Sequence, residues 1–157
     1  MPTLPDFRLE THFSKWEFKA QYHLTASDAE SLSLRDLLDR ASAEERASLE
    51  DLWLGYTETF GAPDLREAIA ETYEAQAAEN VLCFAGASEG IFAANQVVLD
   101  ADSHAIVVTP NYQSHETLPL AICEATGVPL DPEDGWSLDI DRVSAAVRPN
   151  TRLVTIN

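Results

Sequence analysis

The chain of 157 residues is 45% hydrophobic and 24% charged, the balance of a folded domain that can bury a core, and this argues against disorder. Ten basic residues face 27 acidic ones, and the net charge of −17 repels nucleic-acid backbones and anionic membranes, which argues against both as general partners. Lysine occurs only at positions 15 and 19, a pattern that suits either a salt-rich cytoplasm or simply a soluble acidic enzyme.

No apolar run is long enough to span a bilayer, and the stretch Met1 to Asp6 has neither the basic nor the apolar character of a leader. A cytoplasmic protein is the expectation. Cys83 and Cys123 stand far apart in apolar contexts, without metal-ligand spacing, and read as buried thiols in a reducing compartment, with no metal bound.

In chain order, the first thirty residues read as an irregular arm whose aromatics, Phe7, Phe13, Trp16, Phe18 and Tyr22, either dock it onto a larger body or belong to the core. Apolar residues then recur at helical spacing from Leu32 to Arg40 and from Ala43 to Trp53. A loop opens at Gly55-Tyr56 and ends at Gly61-Ala62-Pro63, with Pro63 suited to a first helical position. Leu65, Ala68, Ile69, Thr72 and Tyr73 share one face of the helix that follows. From there strands alternate with helices. Val81 to Ala85 reads as a strand, Ser88 to Leu99 as a helix, and Ala105 to Thr109 as a strand buried on both faces. Pro110 to Thr117 reads as a loop, Pro119 to Thr126 as a short helix closed by Gly127, and Val128 to Leu130 as a strand. A helix over Ile140 to Val147 and an apolar strand over Arg152 to Ile156 complete the pattern. The order predicts an α/β sandwich of three layers around a mainly parallel sheet, preceded by an N-terminal arm and helices over residues 1–50.

The junction from Ala85 through Gly86, Ala87 and Ser88 carries two readings. Backbone N–H groups in the first turn of a helix lack intrahelical partners and face the positive end of the helix dipole, so a turn of small residues with a hydroxyl can cradle a phosphate. A turn capped by Ser88 accounts for the same residues. Ligands in parallel sheets bind beyond the carboxyl ends of strands, which predicts that Gly86 to Ser88 and Pro110 to His115 lie on one rim.

Three segments taken together, Leu54-Gly55-Tyr56 with Gly61-Ala62-Pro63-Asp64-Leu65-Arg66, then Ala85-Gly86-Ala87-Ser88-Glu89-Gly90, then Pro110-Asn111-Tyr112-Gln113-Ser114-His115, resemble the class I/II aminotransferases of the fold-type I pyridoxal-phosphate group. The resemblance covers residues 20 to 157. It implies that residues 51–157 are an incomplete cofactor-binding domain, with pyridoxal 5'-phosphate as cofactor, amino acid and keto acid substrates, and a homodimer when complete. Gly86, Ala87 and Ser88 match the turn that holds the cofactor phosphate, and Tyr112 matches the aromatic that lies against the pyridine ring. His115 matches a histidine behind the carboxylate that keeps the ring nitrogen protonated, and Tyr56 a tyrosine that reaches the neighbouring subunit's cofactor phosphate. Ser27 and Asp28 fall where the family's arm approaches substrate, but they match it poorly and read as helix caps. No catalytic residue is assignable, because the family's cofactor-binding lysine, ring-nitrogen carboxylate and substrate-binding arginine lie downstream of the strand that Arg152 to Asn157 resembles. Lys15 and Lys19 match none of them. The expectation is therefore a fragment of an aminotransferase, inactive alone and needing a partner to cover its sheet. The alternatives are another enzyme of the same fold, a lyase, synthase or decarboxylase, and a non-catalytic acidic binding module.

Overall fold

The computed structural model describes residues 4–157; Met1, Pro2 and Thr3, where the stretch without leader character starts, lie outside the described residues. In chain order the elements are α1 (Arg8–Trp16), α2 (Leu34–Arg40), α3 (Ala43–Glu50), α4 (Pro63–Ala70), α5 (Ala87–Val98), β1 (His104–Thr109), α6 (Gln113–Ile122), β2 (Glu124–Pro129), α7 (Ile140–Ala145) and β3 (Thr151–Thr155). Single 3-10 turns occupy Ala78–Asn80 and Pro132–Asp134. The chain divides into two compact units, one made of the described residues up to Ala20 with Phe84–Asn157, the other of Gln21–Cys83. No helix among the described residues is long and apolar enough to cross a membrane.

The first unit is built on a parallel sheet of order β2-β1-β3. The β-branched run Ile106-Val107-Val108 suits the central strand, where both faces must be apolar, and Ala105 to Val108 are buried. Because β2 and β3 flank β1 on opposite sides, right-handed crossovers put α6 and α7 on opposite faces and give three layers. The packing agrees: Ile106, Val108 and Val128 form a buried cluster covered by Leu130, Leu138, Val143 and Ala146, while α6 lies on β1 and β2 and against α5. His104 is fully buried at the start of β1, its Nδ1 2.8 Å from Thr151 Oγ1 and its Nε2 2.9 Å from Thr126 Oγ1. Both ring nitrogens are thus satisfied by a hydroxyl from each neighbouring strand, as a buried polar ring requires. Burial holds its pKa below the ordinary imidazole value, and the Arg148 guanidinium adds to the effect while Glu124 opposes it.

The second unit is helical and held by local devices. Ser33 caps α2 by accepting from the Asp36 N–H, and Ser42 with Glu45 forms a capping box on α3. Pro63 occupies the first turn of α4, as its fixed φ and missing N–H favour. Arg66 donates from Nε to the Val81 carbonyl (3.0 Å) and from a terminal nitrogen to the Ala78 carbonyl (2.6 Å), fastening α4 to the segment that leaves the unit. Gly61 turns at φ +111°, and a Cβ there would stand 2.5 Å from Cys83 Sγ, so the position admits no side chain.

Several sequence expectations change. The arm contains α1 and is not irregular throughout. Val81 to Ala85 is extended but is no strand: the Cys83 N–H goes to the Phe60 carbonyl and the Ala85 N–H to Glu89, so no ladder partner exists among the described residues. The loop over Pro110 to Thr117 is short, because α6 starts at Gln113 and runs through Pro119. Pro119 removes the bond that would have reached the His115 carbonyl, and the Thr155 hydroxyl approaches that carbonyl at 3.5 Å. Gly127 caps no helix; it lies in β2 opposite Val107. Cys83 and Cys123 are half-buried rather than buried. Ser27 and Asp28 begin no helix, since the next one is capped by Ser33.

Candidate functional site

The turn before α5 is a helix start with bare donors. Gly86 is the N-cap in an extended conformation, and a glycine offers no side chain to cap with, so the reading of a turn capped by Ser88 fails: Ser88 is the second residue of the helix. Among the described residues neither the Ala87 N–H, the Ser88 N–H nor the Ser88 hydroxyl makes a hydrogen bond. A Cβ built on Gly86 would meet nothing within 4 Å, so the space over the turn is open. Glu89 reaches back from the first turn, its Oε2 accepting from the Ala85 N–H at 2.8 Å, and fixes the approach of the chain. The N–H groups of Glu89 and Gly90 bond to the Gly86 carbonyl, so the next donors are already in use. A Cβ on Gly90 would stand 3.2 Å from the Phe84 ring, which packs closely against this turn. Two N–H groups, one hydroxyl and open space at the positive end of a twelve-residue helix fit a phosphate group.

The loop after β1 is fixed from inside. Asn111 donates from Nδ2 to the Val108 carbonyl (2.9 Å), accepts at Oδ1 from the Tyr112 N–H (2.8 Å), and gives its own N–H to Glu116 Oε1 (3.0 Å). The Thr109–Pro110 peptide is cis. Tyr112 is half-buried, with the Phe7 ring 5.5 Å from its centroid and the His115 ring 6.3 Å away at an edge-on angle. A cavity of about 490 Å³ opens beside it, lined by Arg8, Leu9, Pro110, Asn111, Gln113 and Glu116.

The structure thus brings Tyr112 and His115 together and places Gly86, Ala87 and Ser88 at the start of α5, which packs on α6. No hydrogen bond joins the turn to Tyr112 or His115 among the described residues. Tyr56 belongs to the helical unit and is fully exposed, so burial of its hydroxyl gives no reason for a partner. Sequence reasoning missed Asn111, Glu116 and Glu89, which hold the two segments in shape. The signal was present: an acidic residue in the first turn of a helix, within reach of the backbone just ahead of it.

A family model for aminotransferases of class I and II matches residues 21–157. The chain belongs to that family. Members of the aminotransferase class I and II family use pyridoxal phosphate. The chain is 30% identical over 118 residues to an aspartate aminotransferase of Pyrococcus horikoshii, a match covering 71% of this chain and 30% of that protein. It is 28% identical over 157 residues to capreomycidine synthase of Streptomyces vinaceus, covering 98% of this chain and 40% of the relative. Among solved structures, a pyridoxal-phosphate-dependent aminotransferase from Streptococcus suis superposes with a TM-score of 0.86 at 24% identity over 97% of this chain and 42% of that one, which shows the shared fold. The chain therefore spans well under half the length of these relatives.

Proposed function

We propose that this chain is the N-terminal, cofactor-cradling part of a cytoplasmic aminotransferase that moves an amino group between an amino acid and a keto acid, homodimeric when complete. The observation that carries the reading is the pair of unpartnered N–H groups at Ala87 and Ser88 beneath the open space over Gly86. Gly86, Ala87 and Ser88 hold the phosphate of pyridoxal phosphate, Tyr112 lies against its ring, and His115 backs the carboxylate that faces the ring nitrogen. Tyr56, free in solvent, reaches the phosphate bound by a second copy, and the cofactor-binding domain runs from residue 51. When bound, the cofactor supplies the aldehyde that takes up an amino group and the ring that accepts electrons from the substrate carbon. Tyr112 excludes water from one ring face; the lysine, the carboxylate and the substrate-gripping arginine come from outside these 157 residues, which are inactive alone.

The similarity to capreomycidine synthase along nearly the whole chain favours, as a second reading, another pyridoxal-phosphate reaction on the same cradle. The full-length protein, given pyridoxal phosphate and paired amino and keto acids, is expected to develop the visible absorbance of a lysine-bound cofactor and to exchange the amino group. Absorbance without exchange selects the second reading. No absorbance refutes both. The 157 residues alone are expected to broaden the phosphorus resonance of the cofactor without the band of a lysine-bound cofactor.

A further inference from the structure

The side-chain amide of Gln113 meets the N-terminal arm at two points. Its Oε1 accepts from the Arg8 N–H at 2.9 Å, and its Nε2 donates to the Asp6 carbonyl at 2.8 Å. A primary amide presents one acceptor and two donors in a plane, so it pairs with the backbone on both sides of Phe7 much as a neighbouring strand would. The residue so bracketed is the one whose ring rests against Tyr112. Gln113 is also the first residue of α6, directly after Tyr112, and the Asn111 and Glu116 bonds leave this loop little freedom of its own.

We infer that Gln113 is a positioning residue that clamps the arm onto the Tyr112 loop, so that docking of α1 and the setting of the Tyr112 ring are one event. Its importance to the reaction rests on the proposed contact of Tyr112 with the cofactor ring; the clamp itself does not. The helix it fastens buries no residue fully, and Leu9 and Phe13 are half-buried. Phe7 is the second point of attachment and covers one side of the ring.

The lysine content supplies a specific reporter. Within these 157 residues lysine occurs only at Lys15, inside α1, and Lys19, just beyond it, so the peptides released by cleavage after Lys15 with a lysine-specific protease report release of this arm. In the full-length protein, Gln113→Ala is expected to raise cleavage after Lys15 about tenfold or more, the effect of losing two ordinary hydrogen bonds from a local opening equilibrium. Gln113→Glu keeps the acceptor for Arg8 but sets an oxygen against the Asp6 carbonyl, and is expected to fall between Gln113→Ala and the parent. Fluorotyrosine labelling gives the second readout: the Tyr112 fluorine resonance, identified by its loss in Tyr112→Phe, is expected to shift in Gln113→Ala and in Phe7→Ala alike. Unchanged Lys15 cleavage in Gln113→Ala overturns the clamp, as does a released arm with an unmoved Tyr112 resonance. A Tyr112 resonance that responds to Gln113→Ala but ignores added pyridoxal phosphate supports the clamp and refutes the cofactor contact.

Discussion

The two units of this chain are stabilised in different ways. The sheet unit buries a continuous strand, Ala105 to Val108, and covers Ile106, Val108 and Val128 with Val143 of α7 and with Leu130, Leu138 and Ala146. The helical unit buries one described residue, Ala70, and leaves Trp53 83%, Leu54 91% and Tyr56 fully exposed. One has a core; the other has caps, an arginine fastener and a glycine turn. Apolar side chains left in water contribute nothing to stability, so the helical unit depends on local geometry and on whatever surface covers Trp53 to Tyr56. A second copy is the proposed cover.

The largest expected effect tests the core. Ile106 is fully buried, and Ile106→Ala removes packed methyl groups without a way to refill the space, at about 2–5 kcal/mol. In these 157 residues without a second copy, the same truncation at Leu54 is expected to change stability by less than about 0.5 kcal/mol, because that side chain has no packing to lose. Denaturant midpoints for both variants check the contrast. Equal losses would mean that the helical unit has a core of its own.

Gly61→Ala asks the same question of the helical unit. The backbone sits at φ +111° and the added methyl would collide with Cys83, so about 1–3 kcal/mol is expected, read as earlier exchange of amides in α4. A neutral result would remove the glycine turn from the list of devices that hold this unit.

A smaller effect separates the units by pH. His104 has a folded pKa below its ordinary value of 6.5, so the unfolded chain binds its proton first as pH falls. The stability this contributes is present above 6.5 and declines as pH drops through and below that value. Glu124 acts later: the Arg148 hydrogen bond and charge lower its pKa from 4.5, so its contribution is lost only in more acid solution. Protection factors of amides in β1 are therefore expected to fall as pH drops below 6.5 while those in α4 hold steady, and His104→Gln is expected to abolish the trend.

These contrasts also explain what was legible beforehand. β1 was readable because an apolar run buried on both faces has few other solutions, β3 because Leu153, Val154 and Ile156 make its run apolar, and Pro63 announced α4. Val81 to Ala85 has the same composition but no strand beside it, and a ladder partner cannot be read from the segment that needs one. The helix over Gln113–Ile122 was hidden by Pro119, whose cost is reduced because the freed His115 carbonyl lies near the hydroxyl of Thr155, 40 positions beyond His115. Within the candidate site, the small residues of the Gly86 to Ser88 turn suggested a phosphate cradle by themselves, while Tyr112, His115 and Tyr56 came from the family resemblance. Those that hold the loop, Asn111 and Glu116, and the Gln113 clamp depend on contacts between side chain and backbone that only the fold brings together.

The smallest expected effect on stability falls on the residue with the largest expected effect on binding. Gly86 needs no special backbone conformation, since its φ of −176° is extended, and a side chain there meets no neighbour. Gly86→Val should therefore alter the denaturant midpoint by less than about 1 kcal/mol, the scale on which N-cap residues differ. The same isopropyl group fills the open space over Ala87 and Ser88 and blocks approach to their N–H groups. In full-length protein it is expected to weaken pyridoxal phosphate binding by about tenfold or more, the equivalent of losing one or two hydrogen bonds to a charged group. Paired titration and unfolding measurements decide the matter. A large loss of stability would make the turn a structural element of the sheet unit, and unchanged affinity with unchanged stability would move the phosphate away from α5 altogether.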